Sequence, residues 1–223
     1  MWNNYFLDIQ KKYSMRVSKK EPLIIRLDGR NITKDKNIDL IGNNNSEFIM
    51  AMEKAARHFT NKYKCYAIYG SDEISFVCTE PQLLINDMST EGCQNTNEII
   101  SLFSQQFFYY FNSFYKSRVV FWHAKCFSIP KEKTISYIKH RSRVIENVMV
   151  IYFLKRNNSD KKNTKLDDKI EMCKKIEVYG ELEKIKKGTL YYNGEQIDVE
   201  AFLNGENVNI TKEKVEAMFS DFE

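Results

Sequence analysis

Residues 65–78 read CYAIYGSDEISFVC, two runs of strand-forming residues that flank the polar stretch Gly70–Glu73. Residues 65–69 and 74–78 are rich in aromatic and β-branched side chains, and the short polar connection between them is typical of a β-hairpin. The pattern therefore predicts two antiparallel strands with a pair of adjacent carboxylates at the tip. Such a tip, taken alone, is more often a solvated turn than a functional site.

The segments around this hairpin follow the order strand, helix, strand, strand, helix, strand. Residues 23–27 are an apolar run that begins after Pro22, and residues 119–129 form another extended run. Apolar residues recur at helical spacing over 48–59 and 98–115. This order predicts an α+β fold, a polymerase-type palm whose ferredoxin-like βαββαβ antiparallel sheet carries helices on one face.

The remainder of the chain predicts a small C-terminal α/β extension. We expect a palm catalytic domain over 1–154, and a charged loop and extension packed on the palm over 155–223. Residues 155–169, KRNNSDKKNTKLDDK, are poor in apolar side chains, which indicates a mobile loop. The other expected features are an irregular stretch at 81–95, helices over 134–154, 170–179 and 212–219, and a hairpin at 191–194.

Composition limits the protein class. The chain has 223 residues, 43% of them hydrophobic, and a formal net charge of +4. This mildly basic balance permits a nucleic-acid partner without requiring one. The five cysteines show no C-x-x-C spacing, and no signal peptide or membrane-spanning run is evident, so we expect a cytoplasmic protein without a membrane partner. The absence of Gly-x-Gly-x-x-Gly and Walker A patterns argues against dinucleotide-binding and P-loop folds.

A second acidic element comes from the first strand. Asp28 directly follows the apolar run, and in the predicted topology it converges with Asp72 at the hairpin tip. Asp28-Gly29 alone is a common turn pair, but two strand ends that bring carboxylates together favour a Mg²⁺ site. Two such ions about 4 Å apart stabilise both the attacking and the leaving oxygen in phosphoryl transfer.

Two motifs resemble those of the tRNA-histidine guanylyltransferase family. The stretch 26–31, RLDGRN, with Lys34, resembles its R-[IL]-D-G-R-x-F-x-K signature, and 69–77, YGSDEISFV, resembles Y-G-x-S-D-E-x-S-F-[VL] without the spacer before Ser71. Three weaker elements follow in the same order: WHAKC through Pro130 (F-D-[AG]-R-x), SYIKHRS at 136–142 (D-Y-L-x-W-R-Q) and KKGT at 186–189 (K-[KR]-G-[TV]). The family's H-I-N-N-L-Y-N stretch corresponds to ENVMVIY at 146–152, and its K-P-N-D loop to NNNS at 43–46.

The resemblance implies a palm enzyme that extends the 5′ end of tRNA in the 3′-to-5′ direction, usually as a tetramer. Asp28 and Asp72 would ligate two Mg²⁺ ions with help from the Gly29 carbonyl, and Glu73 would be the third catalytic acid. GTP or ATP would be held by eight residues: Arg26, Gly29, Arg30, Asn31, Ile32, Thr33, Lys34 and Ser71. The candidates for RNA contacts are Lys125, Arg141 and Arg143.

The expected activity is therefore a Mg²⁺-dependent 3′–5′ nucleotidyl transfer to tRNA, either guanosine addition to histidine tRNA or repair of a shortened 5′ end. We expect a homotetramer, with a homodimer as the alternative. Two other functions stay open: a palm-type enzyme that makes a signal nucleotide from free nucleotides, and a non-catalytic RNA-binding module.

Overall fold

The structure, a computed structural model, describes residues 17–33, 38–41, 47–88, 95–159 and 164–205. Its elements are β1 (Leu23–Gly29), α1 (Glu47–Tyr63), β2 (Tyr66–Gly70), β3 (Glu73–Cys78), α2 (Gln82–Met88), α3 (Thr96–Phe114), β4 (Trp122–Ser128), a 3₁₀ turn (Lys131–Lys133), α4 (Thr134–Arg156), α5 (Leu166–Lys174), α6 (Tyr179–Ile185), β5 (Thr189–Tyr192), β6 (Glu195–Ile197) and α7 (Val199–Asn204). None of these helices is both long and apolar enough to cross a membrane.

The strands form one antiparallel sheet in the order β4-β1-β3-β2-β5-β6. The first four strands have the order of a split β-α-β sheet, so the predicted βαββαβ topology is confirmed. The C-terminal hairpin lengthens the same sheet, because Tyr192 of β5 pairs with Tyr66 of β2. The predicted domain boundary after residue 154 falls inside α4, and the C-terminal extension continues the sheet instead of only packing on it.

The two crossover helices, α1 and α3, cover one face of the sheet. Every second residue of β1 points to this face, and Leu23, Ile25 and Leu27 are all fully buried there. Four aromatic rings fill the space between helices and sheet: Phe59, Phe76, Phe103 and Phe107. The helical periodicity that predicted both helices is therefore the periodicity of a dry aromatic core.

The opposite face of the sheet is also covered by a helix. The prediction of helices on one face therefore holds only for the two crossover helices. α4 lies on this second face, where Ile24 and Val77 of the sheet join Ile145 and Phe153 of the helix in one apolar cluster. Four polar side chains of α4 are buried as well: Thr134, Arg141, Ser142 and Glu146. This face is therefore less uniform chemically than the first.

Several expected element bounds were wrong. The stretch 81–95 contains α2, whose apolar side chains Leu84, Ile85 and Met88 are buried. The segment 155–169 is partly helical, since α4 runs to Arg156 and α5 begins at Leu166; its mobility stays a prediction, and 160–163 lie outside the described residues. The helix predicted over 170–179 is two helices separated by a turn at 175–178, and the helix predicted over 212–219 also lies outside the described residues.

Candidate active site

The end of β1 and the tip of the β2–β3 hairpin meet as the sequence predicted. Asp28 is the register partner of Glu73 on β3, so the two side chains lie on the same face of the sheet. The Gly29 N–H donates to the Asp72 carbonyl oxygen at 2.7 Å, which ties the strand end to the hairpin tip. The pKa of Asp28 is raised by its burial and then by the negative charges of Asp72 and Glu73. Three carboxylates therefore share one electrostatic site.

Gly29 allows this close approach. A β-carbon at this position would lie 2.9 Å from Cγ1 of Ile32, 3.2 Å from the Asp72 carbonyl oxygen and 3.4 Å from the Trp122 ring. Two of these distances are tighter than ordinary van der Waals contact. A larger residue would push the strand end away from the hairpin tip.

The hairpin turn has two residues, Ser71 and Asp72, between the paired residues Gly70 and Glu73. Ser71 adopts a left-handed backbone conformation with φ of 57°, which non-glycine residues seldom do. Its hydroxyl donates to Oδ1 of Asp72 at 2.6 Å and accepts from the Asp72 N–H at 2.5 Å. The expected nucleotide-binding residue Ser71 thus orients the Asp72 carboxylate, a contact that the sequence did not reveal.

Arg141 contacts the acidic site from α4. Its Nε donates to Oε1 of Glu73 at 2.9 Å, and Nη2 contacts the same oxygen. Both side chains are nearly inaccessible, 6% exposed for Arg141 and 12% for Glu73. Arg141, predicted as an RNA contact, is thus the buried partner of a site carboxylate in this structure, and its contact with RNA stays a prediction.

The loop after β1 offers fewer free amides than expected. The Arg30 N–H donates to the Phe121 carbonyl oxygen at 2.9 Å, and the Ile32 N–H faces the Gly29 carbonyl oxygen at 3.5 Å. The N–H groups of Asn31 and Thr33 have no hydrogen-bond partner among the described residues, and Asn31 is left-handed with φ of 62°. Such a loop can hold an anion through those two amides. Lys34 lies outside the described residues.

Cations border the carboxylates on the side of β4. Arg26 and Lys125 are register partners, two residues along the strands from Asp28 and its β4 partner His123. Lys125 and His123 are exposed. Like charges directly opposite each other are unfavourable in a sheet unless an anion compensates them. The third RNA candidate, Arg143, is instead held in ion pairs with Glu146 at 2.8 Å and Asp167 at 2.9 Å.

The segment 186–189 packs closely against the β2–β3 hairpin. Gly188 has φ of 84°, and a β-carbon there would lie 2.8 Å from the Tyr69 carbonyl oxygen. A β-carbon on Gly70 would lie 2.3 Å from Cγ2 of Ile145 in α4. Where the hairpin, α4 and the start of β5 meet, neither glycine has room for a β-carbon, which gives the glycine of this motif a structural reason.

The site offers the carboxylates of Asp28 and Asp72 as possible ligands of a metal ion. Within the described ranges, no three His, Cys, Asp or Glu side chains form a group that could hold a metal ion. Mg²⁺ commonly takes one or two carboxylates and completes its shell with substrate phosphates and water. Asp28 and Asp72 fit that requirement, while Glu73 is occupied by Arg141.

Comparison with known proteins identifies one family whose sequence model matches this chain. A sequence model of the family described as tRNAHis guanylyltransferase matches residues 4–138, more than half of the chain. A comparison with curated proteins found no match.

Solved structures of similar fold cover most of the chain. A bacterial tRNA(His) guanylyltransferase-like protein in complex with ATP is 15% identical with a TM-score of 0.63, over 85% of this chain and 84% of that one. The corresponding bacterial protein in complex with GTP is 17% identical with a TM-score of 0.60, over 85% and 83%. The tRNA(His) guanylyltransferase of Saccharomyces cerevisiae is 15% identical with a TM-score of 0.58, over 84% and 93%. At these identities the likeness concerns the fold.

Proposed function

This chain belongs to the tRNAHis guanylyltransferase family, and from that membership we propose that it is a Mg²⁺-dependent 3′–5′ nucleotidyltransferase acting on the 5′ end of tRNA. Family membership indicates a nucleotidyltransferase; the direction, the metal and the RNA end are our proposal. One observation carries it: Asp28 lies in register with Glu73 and is tied through Gly29 to Asp72. The activity would be guanosine addition to histidine tRNA or repair of a shortened 5′ end.

Asp28 and Asp72 are the residues that would hold Mg²⁺. When bound, the ions would supply positive charge that stabilises the negative charge developing during phosphoryl transfer. The raised pKa of Asp28 supports this assignment, since burial and neighbouring carboxylates make its ionised form unfavourable without a cation. Arg141 pairs with Glu73 and fixes this carboxylate in position beside them.

The surrounding groups would position the phosphates. The N–H groups of Asn31 and Thr33, which have no partner among the described residues, can donate to a triphosphate, and the cations Arg26 and Lys125 can compensate its charge. GTP and ATP are the proposed nucleotides, supported by similar folds that were solved in complex with each. The chain's contribution to rate would then be orientation and charge stabilisation of in-line phosphoryl transfer.

A 5′-end labelling assay tests this function. Purified protein is incubated with Mg²⁺, labelled GTP or ATP, and tRNAs with intact or shortened 5′ ends that carry a mono- or triphosphate. We expect label at the tRNA 5′ end, lost in Asp28→Ala and Asp72→Ala. Asp168→Ala is the matched control, because it removes an exposed carboxylate from the first turn of α5 and leaves the site intact.

Other outcomes separate the alternatives. Label incorporation that survives Asp28→Ala and Asp72→Ala would exclude the carboxylate site as the metal centre. Nucleotide consumption without labelled RNA would favour the enzyme that acts on free nucleotides. tRNA binding with neither labelling nor consumption would favour the non-catalytic RNA-binding module.

A further inference from the structure

A cleft of about 580 Å³ opens between one flank of α4 and the segment that includes Lys187 and α7. It lies on a different side of α4 from the Glu73 contact. We propose that this cleft is a second phosphate-binding site, which holds the backbone of the RNA whose 5′ end lies at the carboxylates. The inference rests on the proposed function and adds a path for its RNA substrate. The residues that carry it are Ser136, Lys139, His140, Arg143, Glu146 and Lys187.

The acidic groups of the cleft are already neutralised inside the protein. Glu146 is only 4% exposed and accepts a hydrogen bond from Nη1 of Arg143 at 2.8 Å. Glu200, on the α7 side, is paired with Nζ of Lys187. A buried carboxylate without a cation would be costly, so Arg143 is the counter-ion of Glu146. Lys187 is paired with Glu200 at the surface, so it is not a free cation of the cleft.

Two basic side chains of the cleft have no acidic partner among the described residues. Lys139 and His140 are exposed, line the cleft, and make no hydrogen bond or ion pair with any residue that the structure describes. The Ser136 hydroxyl lies on the same wall and also has no partner within the described ranges. An ammonium group, an imidazole and a hydroxyl together provide donors for phosphate oxygens and no net negative charge.

Helix geometry places this wall close to the acidic site but apart from it. Lys139 and Arg143 are four residues apart and share one flank of α4, while Arg141 points to Glu73 on another. The helix is about 10 Å across with its side chains. Since phosphates along one strand of a duplex follow at about 3.4 Å, an RNA strand crosses α4 within roughly three phosphates.

The wall chemistry favours an RNA backbone over a free nucleotide. Pockets for small ligands are lined mainly by apolar and aromatic side chains, which hold the base. Here nine of the ten lining residues are charged or polar, and Leu203 of α7 is the one apolar residue among them. Such a surface can bind phosphates without reading a base.

Lys139→Glu tests the cleft by reversing one unpaired charge. The binding of a 3′-fluorescein-labelled tRNA transcript is measured by anisotropy at several salt concentrations. We expect binding weakened about tenfold and a slope of log K against log salt reduced in magnitude by about 1. In the labelling assay, the KM for tRNA should rise while the KM for GTP and the Mg²⁺ dependence stay as in the wild type.

Lys175→Glu is the matched control, because it makes the same charge change on an exposed residue at the far end of α5, outside the cleft. Equal tRNA affinity in Lys139→Glu and Lys175→Glu would overturn the proposal. A loss of GTP affinity with unchanged tRNA affinity would also overturn it, since the cleft would then bind a free nucleotide. Lys139→Gln, a milder change, should show a smaller loss of the same kind, and thermal melts confirm folding.

Failure of the cleft and failure of the proposed activity give different results. Asp28→Ala should abolish transfer and keep wild-type tRNA affinity, since that residue lies outside the cleft. If the wild type transfers no nucleotide but Lys139→Glu still weakens tRNA binding, the activity is wrong and the cleft stands. If transfer occurs and Lys139→Glu leaves tRNA binding unchanged, the activity stands and the cleft is wrong.

Discussion

The two layers that cover the sheet differ in what they bury. The layer of α1 and α3 is dry and aromatic, with Phe103 and Phe107 fully buried against the sheet. The α4 layer buries Arg141, Ser142 and Glu146 together with its apolar residues. Buried polar groups cost stability unless they are paired, so a layer that keeps them has a second purpose. The first layer holds the fold together, and the second connects the fold to the site.

The largest effect on stability is expected in the aromatic layer. The Phe103 ring lies 5.1 Å from both the Phe59 and the Phe76 rings, measured between centroids. Phe103→Ala should lower the free energy of unfolding by about 4 kcal/mol, because it removes buried area and leaves a cavity. Urea unfolding measures the loss. Tyr109→Ala on the same helix is the control, since Tyr109 is 72% exposed and should cost little. Equal costs for both variants would contradict the assigned core.

In the α4 layer, the next largest effect is expected at the buried ion pair. Arg141→Met leaves the Glu73 carboxylate without its partner and should cost about 3 kcal/mol. The double variant Arg141→Met/Glu73→Met should recover most of this loss, since two apolar side chains replace both charges. A double-mutant cycle from urea unfolding measures the coupling. Additive effects of the two single changes would show that Arg141 and Glu73 do not stabilise each other.

Sequence periodicity explains why the long helices of both layers were predicted, α4 included, while the short helices and the buried polar contacts were not. The α1 and α3 segments repeat apolar residues at helical spacing, and the structure confirms both helices and the strand order around them. The polar residues of α4, the short helix α2 and the broken helices of the C-terminal part give no comparable pattern. Their positions follow from packing against the sheet, which a single sequence does not display.

The sequence predicted the carboxylates of the candidate site but not the residues that hold the site in place. Asp28, Asp72 and Glu73 stand at predicted strand ends, so topology alone brings them together. Arg141 lies 68 residues beyond Glu73, and its burial depends on the path of α4. The use of the Arg30 N–H by Phe121 likewise depends on a contact between distant segments. Long-range hydrogen bonds of this kind leave no local signal.

A smaller effect is expected where the hairpin meets α4. Gly70→Ala places a β-carbon 2.3 Å from Cγ2 of Ile145 and should cost about 2 kcal/mol through overpacking. Combining it with Ile145→Ala should cost less than the sum of the two single changes. Gly180→Ala within α6 is the control, because nothing lies within 4 Å of its added carbon and alanine favours the helix. Thermal unfolding compares them, and a larger loss at Gly180 than at Gly70 would refute the close contact.

The smallest effect is a gain in stability within the site itself. Burial and the charges of Asp72 and Glu73 raise the pKa of Asp28 above its ordinary value of 3.8, so the folded protein holds that proton more tightly than the unfolded chain. As pH rises from the unfolded towards the folded pKa, the stabilising effect of protonation is lost, and ionised Asp28 destabilises the protein at neutral pH. Asp28→Asn should therefore raise the melting temperature by a few degrees at neutral pH without Mg²⁺, and by less near pH 3. Partial exposure of Asp28 to water limits the gain.

Mg²⁺ should stabilise the wild type more than Asp28→Asn and so reduce the difference in melting temperature. A variant that melts lower than the wild type at neutral pH would instead mean that other groups of the protein already compensate the Asp28 carboxylate. The acidic site would then need no bound cation for stability.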